Sequence, residues 1–271
     1  MRGFVLGLRL TVVTPSANPL ASLPPDARFD FTALVPLQLQ TILARTPDRL
    51  PLLDGMKAIL VGGAPVSMAL QRALQRIAAP VYHTYGMTET VTHIALRRLN
   101  GPHPEAAFKP LPGVQVGQDE RGCLTVTAPV TGGQTLHTND RVDLQPDGSF
   151  VWLGRLDNVI NSGGVKVQVE RVERALERAL LDYRGGVFSG RRFFVGGTPD
   201  ERLGETVTVV MEGSPLPVQD EAALRAALQA ALSRYEVPRR FAFLPRLPQT
   251  PTGKIDRRAA LRRLSATTPP R

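Results

Sequence analysis

Several polar residues of this chain stand just after a segment that the pattern predicts to be a strand. Tyr85-Gly86-Met87-Thr88-Glu89-Thr90 offers hydroxyls, one carboxylate and a glycine within six residues. Hydroxyls can hold phosphate oxygens, and a carboxylate can bind Mg²⁺, which takes oxygen ligands and usually keeps several waters. The same residue types are also common where a helix is capped. The hexapeptide therefore has two interpretations, a site for phosphate and Mg²⁺ or a capped turn.

Two further side chains suit nucleotide chemistry. Asp140, which we expect to follow a strand in Thr138-Asn139-Asp140, could accept hydrogen bonds from ribose hydroxyls, and the alternative is an ordinary turn aspartate. Lys254, in Thr250-Pro251-Thr252-Gly253-Lys254-Ile255, follows Thr-Gly on a predicted loop. An exposed lysine there could act as a point charge for a phosphate or a carboxylate, and the alternative is a plain tail lysine.

The stretch from Gly154 to Lys166 joins a strand-rich part of the chain to a helix-rich part. Arg155 and Asp157 within it could bind a ligand or form a simple surface ion pair. Gly163 and Gly164 permit positive φ and predict a tight reversal of the chain. We interpret the stretch as a joint that carries a ligand.

Length and composition limit the function classes. The chain has 271 residues, which suggests two domains, and no run of about 18 apolar residues that could span a bilayer. Cys123 is the single cysteine, so no internal disulfide can form, and a cytoplasmic location fits. The net charge of +9 suits a phosphorylated substrate. Nucleic-acid binding is disfavoured because no basic and aromatic module accompanies the charge. The four histidines show no metal-ligand spacing, so we expect no zinc.

The first part of the chain predicts the sheet that positions the candidates. We expect strands at residues 4–14, 31–35, 57–61 and 80–85, and helices at about 36–44 and 66–78. The strand-helix-strand unit around Gly62-Gly63-Ala64-Pro65 predicts a parallel sheet with a right-handed crossover. In such sheets the ligand lies beyond the carboxyl ends of the strands. Those ends are Gly62-Gly63-Ala64 and the Tyr85 hexapeptide.

The second part predicts β-structure and then a small α+β region. Short alternating runs from Gly113 to Leu153 indicate strands, with Pro146-Asp147-Gly148 as a hairpin turn. After the joint we expect helices at about 168–181, at about 220–232 and from Asp256, with strands at 207–211 and 241–244. In the first of these helices an apolar stripe recurs at helical spacing, and Glu170, Glu173 and Glu177 fall on other faces.

Taken together, the order and spacing of these motifs resemble the adenylate-forming acyl-CoA synthetases. Within that superfamily, the Tyr85 hexapeptide and Gly154–Lys166 look most like the o-succinylbenzoate-CoA ligases of menaquinone biosynthesis. The resemblance implies a mixed α/β and α+β fold. Residues 1–154 would be the C-terminal part of a large AMP-binding domain, a parallel-sheet remnant plus a small β-subdomain. Residues 155–158 would be a hinge, residues 159–264 a small mobile domain, and residues 265–271 a disordered tail.

The resemblance also implies an activity. Enzymes of this kind use ATP and Mg²⁺ to convert a carboxylate into an acyl-adenylate and then transfer the acyl group to CoA. Asp140 would hold the ribose hydroxyls, Thr88 the α-phosphate, and Tyr85 would lie against the adenine. The residues implied to bind the nucleotide are Gly62, Gly63, Ala64, Tyr85, Gly86, Thr88, Asp140 and Arg155.

The remaining implied roles concern catalysis and CoA. Lys254 would bridge the substrate carboxylate and the α-phosphate, where a fixed positive charge offsets charge developing during transfer. Thr88 and Glu89 complete the implied catalytic set, and Glu89 is the implied Mg²⁺ ligand. Asp157 matches the hinge position. Gly163 and Gly164 would lie beside the pantetheine arm of CoA.

Two departures from the family pattern bear on these expectations. Thr138-Asn139-Asp140 stands where the family has Thr-Gly-Asp, so the carboxylate is kept and the glycine is replaced. The family's Ser/Thr/Gly-rich phosphate loop has no counterpart, and we expect it to lie before residue 1, in an N-terminally shortened chain. Another aryl or medium-chain carboxylate is an alternative substrate, and a non-catalytic module that binds AMP or CoA is an alternative function. A homo-oligomer or a complementing N-terminal segment would be the expected protein partner.

Overall fold

The computed structural model describes residues 6–188, 190–250 and 254–267. The chain forms two compact units. The first comprises residues up to Val66, Leu70–Gly86 and Ala95–Glu105, and the second comprises Ser67–Ala69, Met87–Ile94 and the chain from Ala106 onward. The hinge expected at residues 155–158 lies inside the second unit, and the division of the chain at that point stays a prediction.

The first unit is built on parallel strands, as the sequence predicts. β1 (Phe31–Leu34) pairs in parallel with β2 (Ala58–Val61), which pairs in parallel with β3 (Val81–Gly86). β4 (His93–Arg98) follows β3 in the sheet order. The helices of this part of the chain are α1 (Pro36–Arg45), α2 (Leu50–Asp54) and α3 (Met68–Ala73). Leu39, Ile42, Ile59, Val61 and Leu74 are among the side chains of the core.

Two expectations for the first 80 residues need correction. Residues 6–14 contain no strand, and the side chains of Leu8 and Val12 are exposed. Their alternating apolar pattern favours a strand, but a strand forms only where a neighbour accepts its hydrogen bonds. The helix expected over residues 66–78 is shorter. It is α3 followed by a 3₁₀ turn at Leu74–Arg76, because the Ile77 N–H bonds to the Leu74 carbonyl three residues back.

An antiparallel sheet of short strands occupies the first part of the second unit, as expected. Its strands, in spatial order, are β6 (Gln115–Gln118), β7 (Cys123–Thr127), β8 (Thr135–Leu144) and β9 (Phe150–Arg155). The preceding short strand is β5 (Lys109–Pro110). The predicted turn joins β8 and β9, and Gly148 has a φ of +80°. Thr138-Asn139-Asp140 lies in the middle of β8 and does not follow a strand, because buried positions alternate with more exposed ones along a single ten-residue strand.

The rest of the second unit has the α+β character that the sequence predicts. Its strands are β10 (Val159–Ser162), β11 (Val165–Gln168), β12 (Phe193–Asp200), β13 (Gly204–Glu212) and β14 (Arg240–Leu244). They form one sheet in the order β11-β10-β13-β12, with β14 paired in parallel to β13. The helices are α4 (Val169–Asp182), α5 (Val218–Ala231) and α6 (Arg257–Thr267). Val172, Leu176, Val209, Leu224 and Leu228 are buried between helices and sheet.

The C-terminal end differs slightly from expectation. From the sequence we expect the last domain to end at residue 264 and residues 265–271 to form a disordered tail. In the structure, α6 continues to Thr267. Ser, Ala and Thr are tolerated in a helix interior, whereas proline is not, and the first proline after the start of α6 is at 269. Residues 268–271 lie outside the described part of the chain. Among the described residues, no helix has the length and apolar character needed to cross a membrane.

Candidate functional site

The turn after β2 requires its glycines for two different reasons. A Cβ at Gly62 would overlap the hydroxyl of Thr84 on the neighbouring strand β3, so only glycine fits there. Gly63 has a φ of +83°, a left-handed conformation that favours glycine. Tyr85 and Gly86 end β3, and both strands present their carboxyl ends to the same edge of the sheet. The first unit therefore brings together the glycine turn and the Tyr-Gly pair that the sequence singles out.

His83 links this turn to the next strand. Its Nδ1 lies 3.3 Å from Nε of Arg97 and its Nε2 lies 3.3 Å from the carbonyl oxygen of Ala64. Because an arginine nitrogen can only donate, Nδ1 is the acceptor and Nε2 carries the proton that is donated to Ala64. Burial, assisted by the charge of Arg97, lowers the pKa of His83 to about 4. A neutral imidazole with a fixed tautomer thus holds the end of the glycine turn.

The Thr88–Thr90 segment is a 3₁₀ turn that exposes the two residues expected to meet phosphate and Mg²⁺. Thr90 is fully buried, and its hydroxyl accepts from the Met87 N–H (3.0 Å) and donates to the Thr92 carbonyl (2.7 Å). Thr90 therefore stabilises the turn through its hydroxyl, while the side chains of Thr88 and Glu89 are exposed. A single exposed carboxylate fits a Mg²⁺ ion that keeps most of its ligands as waters and phosphate oxygens.

Asp140 is buried in the middle of β8, where two donors approach its carboxylate. The indole Nε1 of Trp152, on the neighbouring strand β9, donates to its Oδ1 over 3.1 Å. A guanidinium nitrogen of Arg155 lies 3.8 Å from the same oxygen. The carboxylate is therefore held in one orientation, which suits an acceptor for a pair of hydroxyls.

Arg155 connects Asp140 to Asp157. Its Nε and one terminal nitrogen donate to the two oxygens of Asp157, each over 2.8 Å, in a bidentate arrangement. Asn139 adds a weaker contact of 3.4 Å to Asp157. The Arg155 guanidinium lowers the pKa of Asp157. Of the residues singled out from sequence, the structure joins Asp140, Arg155 and Asp157 into one network.

Glu170, in the first turn of α4, fixes the backbone of this same segment. Its Oε1 accepts from Asn158 Nδ2 (2.7 Å) and from the Arg155 N–H (3.3 Å), and its Oε2 accepts from Gln168 Nε2 (2.7 Å). Gly154 has a φ of +141°, and a Cβ there would lie 2.8 Å from Glu170 Oε2. The glycine thus allows a buried carboxylate to lie against the chain beside Arg155. The sequence pattern placed Glu170 on a face away from the apolar stripe, whereas it is 8% exposed.

Gly163 and Gly164 form the predicted reversal. They connect β10 to β11, with Ser162 opposite Val165 and φ values of +60° and +82°. Positive φ at both positions defines a type I′ turn, the two-residue loop that matches the twist of a hairpin. A Cβ at Gly163 would lie 3.0 Å from Leu203, while Gly164 faces open space.

Lys254 is exposed and begins the segment that leads into α6. Its N–H lies 3.2 Å from the Thr250 hydroxyl, and its carbonyl accepts from the Thr250 N–H over 2.8 Å. The carboxylate of Asp256 caps α6 by accepting from the Ala259 N–H over 2.9 Å. The intervening residues 251–253 lie outside the described part of the chain. Lys254, Glu89 and the Gly163–Gly164 turn lie on separate elements of the second unit.

Three residues that contribute to this geometry were missed as partners of the candidates. The sequence predicts Trp152 only as part of a strand, Glu170 only as a polar helix residue, and His83 only as part of the strand at residues 80–85. The chain contains one tryptophan, which stands three residues before Arg155. An indole N–H that is partly buried in a strand usually finds an acceptor, so a single tryptophan in a predicted strand is a signal that could have been used.

Comparison with known proteins identifies the family of the chain. A family model described as "AMP-binding enzyme" matches residues 2–133. The solved structure of an acyl-CoA synthetase (AMP-forming)/AMP-acid ligase II-like protein from Dyadobacter fermentans is 42% identical, covers 92% of this chain and 69% of that chain, and superposes with a TM-score of 0.51. The chain belongs to the AMP-binding enzyme family. The mixed α/β and α+β fold class expected from the sequence is confirmed.

Two curated relatives of this AMP-binding enzyme have more specific names. The 2-succinylbenzoate–CoA ligase of Geobacillus kaustophilus is 29% identical, and the match covers 98% of this chain and 58% of the relative. The feruloyl-CoA synthase of an Amycolatopsis species is 32% identical over 256 residues, which cover 82% of this chain and 49% of the relative. The chain thus spans about half the length of these relatives.

Proposed function

We propose that this chain acts in an AMP-forming acid-CoA ligase whose substrate is the aryl carboxylate 2-succinylbenzoate. The observation that carries the proposal is the network in which Trp152 and Arg155 orient the carboxylate of Asp140. A buried carboxylate that is held by one indole hydrogen bond and lies beside a guanidinium is preorganised to accept two ribose hydroxyls. The similarity to the Geobacillus 2-succinylbenzoate–CoA ligase supports the choice of acid.

The proposed reaction has two steps. An oxygen of the substrate carboxylate attacks the α-phosphorus of ATP, which forms the acyl-adenylate and releases pyrophosphate. The CoA thiolate then attacks the acyl carbon, which forms the thioester and releases AMP. Both steps build negative charge at the α-phosphate or the acyl oxygen, so fixed cations and donors near these atoms accelerate them.

Each candidate residue of this chain has a separate role in the proposed reaction. Asp140 binds the ribose, Arg155 lies beside it near the phosphate, and Thr88 donates to the α-phosphate. Glu89 would hold Mg²⁺, which would supply neutralisation of the phosphate charge. Lys254 bridges the carboxylate and the α-phosphate in the first step.

The remaining proposed contacts position the two ends of the substrates. The nucleotide base lies against Tyr85 and Gly86 and the turn of Gly62, Gly63 and Ala64. Asp157 is the hinge residue about which the small domain, residues 159–264, turns between the two steps. The backbone at Gly163 and Gly164 borders the pantetheine arm, where the absence of a side chain leaves room for it.

Exchange of labelled pyrophosphate into ATP tests the first step directly. We expect exchange that depends on 2-succinylbenzoate and that is lost in Lys254→Ala, with Lys166→Ala as a lysine control. An absence of exchange with every acid, in a chain that still binds AMP, would show a nucleotide-binding module without this activity. Exchange with ferulate and none with 2-succinylbenzoate would favour a second candidate, a ligase of another aryl acid, to which the relationship with the feruloyl-CoA synthase points.

A further inference from the structure

Glu173, one turn after Glu170 on α4, holds a partly buried ion pair. Its side chain is 20% exposed, and one of its oxygens accepts from the Val195 N–H over 2.9 Å. A terminal nitrogen of Arg257 lies 3.1 Å from one oxygen and 3.2 Å from the other. The Arg257 guanidinium also lies 5.8 Å from the centre of the Phe194 ring. Burial raises the pKa of Glu173, although Arg257 opposes the shift.

Arg257 is the first residue of α6 and stands three residues after Lys254. Between them, the Asp256 N–H bonds to the Pro248 carbonyl over 2.9 Å, and Ile255 pairs with Gln249. The backbone that carries Lys254 is thus attached on one side to the 248–250 segment. On the other side it continues directly into the arginine that Glu173 binds.

The lysine itself supplies the reason why such an anchor matters. A lysine side chain has a flexible four-carbon stem, so the position of its ammonium depends on how firmly its backbone is held. A displacement of about 1 Å in a group that must meet developing charge can reduce a rate by about a hundredfold. Lys254 is exposed, so little packing around its own side chain can hold it in place.

We propose that Glu173 is a positioning residue for Lys254 and acts through Arg257. The inference rests on the proposed function, because it assumes that Lys254 acts in adenylate formation. Helix α4 then serves two groups at once, since Glu170 binds the backbone of Arg155 and Glu173, one turn later, anchors the segment of Lys254. The backbone of Arg155 and the arginine that follows the Lys254 segment are thus both held by carboxylates of one helical turn.

Kinetics of the two half-reactions provide the first test. Glu173→Gln keeps an acceptor for the Val195 N–H but removes the charge, and Arg257→Gln removes the other partner. Each variant should lower kcat for pyrophosphate exchange about tenfold or more while KM for ATP changes less than twofold. Transfer of a preformed acyl-adenylate to CoA should be unaffected, because Lys254 has no role there. Arg258→Gln, an exposed arginine beside Arg257, is the matched control and should keep the parent rates.

Hydrogen exchange provides a second test that does not depend on activity. The backbone amides of Lys254 and Asp256 should exchange faster in Glu173→Gln and Arg257→Gln than in the parent chain, and Arg258→Gln should match the parent. Arg257→Lys should show slower amide hydrogen exchange than Arg257→Gln, because it keeps the positive charge without the planar guanidinium whose terminal nitrogen lies between the two Glu173 oxygens. Unchanged amide hydrogen-exchange rates in both Glu173→Gln and Arg257→Gln would overturn the proposal. Faster amide exchange together with no pyrophosphate exchange in the parent would overturn the proposed function and leave Glu173 as the anchor of this segment.

Discussion

Mild acid should destabilise the first unit through a single imidazole. His83 donates to the Ala64 carbonyl and accepts from Arg97, so a second proton would have to go onto Nδ1, where it would face the guanidinium. The ring would also become a charge in a buried place. Burial in the folded chain therefore disfavours the protonated ring, and the pKa of His83 falls from its usual 6.5 to about 4.

The sign and size of the effect follow from linkage. Above pH 6.5 the imidazole is neutral in both states and its contribution to stability is complete. As the pH falls below 6.5, the unfolded chain binds a proton that the folded chain refuses until about pH 4, so stability is lost across this window. Between pH 7 and pH 5 the loss amounts to about 2 kcal/mol.

His83→Gln is the matched variant, because an amide can donate to the Ala64 carbonyl and accept from Arg97 without titrating. Urea unfolding followed by circular dichroism at pH 7 and pH 5 should show that the parent loses about 2 kcal/mol more than this variant. His137→Gln, which removes an imidazole whose side chain is 62% exposed, should behave like the parent. Equal losses in the parent and in His83→Gln would refute the reasoning.

Four further substitutions test the geometry of the site. Trp152→Phe should weaken AMP binding about fivefold in calorimetry, because the Asp140 carboxylate loses a donor worth about 1 kcal/mol, and an unchanged Kd would contradict this. Val91→Gly should raise the free energy of unfolding by about 1 kcal/mol, because Val91 has a φ of +61° that a β-branched residue tolerates poorly. Gly62→Ala should cost about 1–3 kcal/mol, and Thr84→Ala in the same chain should restore most of it, since the overlap is with the Thr84 hydroxyl.

Turn chemistry and helix periodicity were predictable from sequence because each depends on neighbouring residues. Gly163 and Gly164 form the reversal expected of them, with positive φ at both positions. The expected helix over 168–181 is α4, Val169–Asp182, and its apolar stripe is buried as the spacing indicates. These features rest on backbone angles and on one face of one element, which a short window of sequence contains.

Strand pairing was less predictable because it depends on residues far away in the chain. Residues 6–14 have the apolar alternation of a strand but pair with no other strand. Strand β12 (Phe193–Asp200) was not predicted, although its pairing with β13 involves more residues than any other strand pair in that sheet. Thr138-Asn139-Asp140 contains three polar residues in a row, which favours a turn in isolation. Its pairing with β9 makes it a strand and places Asp140 beside Trp152.

The side-chain network around Arg155 shows where a periodicity argument must stop. Helical spacing compares each residue with the apolar stripe of its own helix, and on that basis Glu170 should face water. Its partners, however, are the amide of Asn158 and the N–H of Arg155, which precede the helix. A carboxylate in the first turn also meets the positive end of the helix dipole, so the same position favours Glu170 on local grounds. Burial of this charge is stable because three donors replace water, and the small residue at Gly154 provides the space. Gly154, Arg155 and Glu170 thus form one structural unit within a stretch of seventeen residues. Sequence reasoning could identify each residue, but it could not predict that they contact one another.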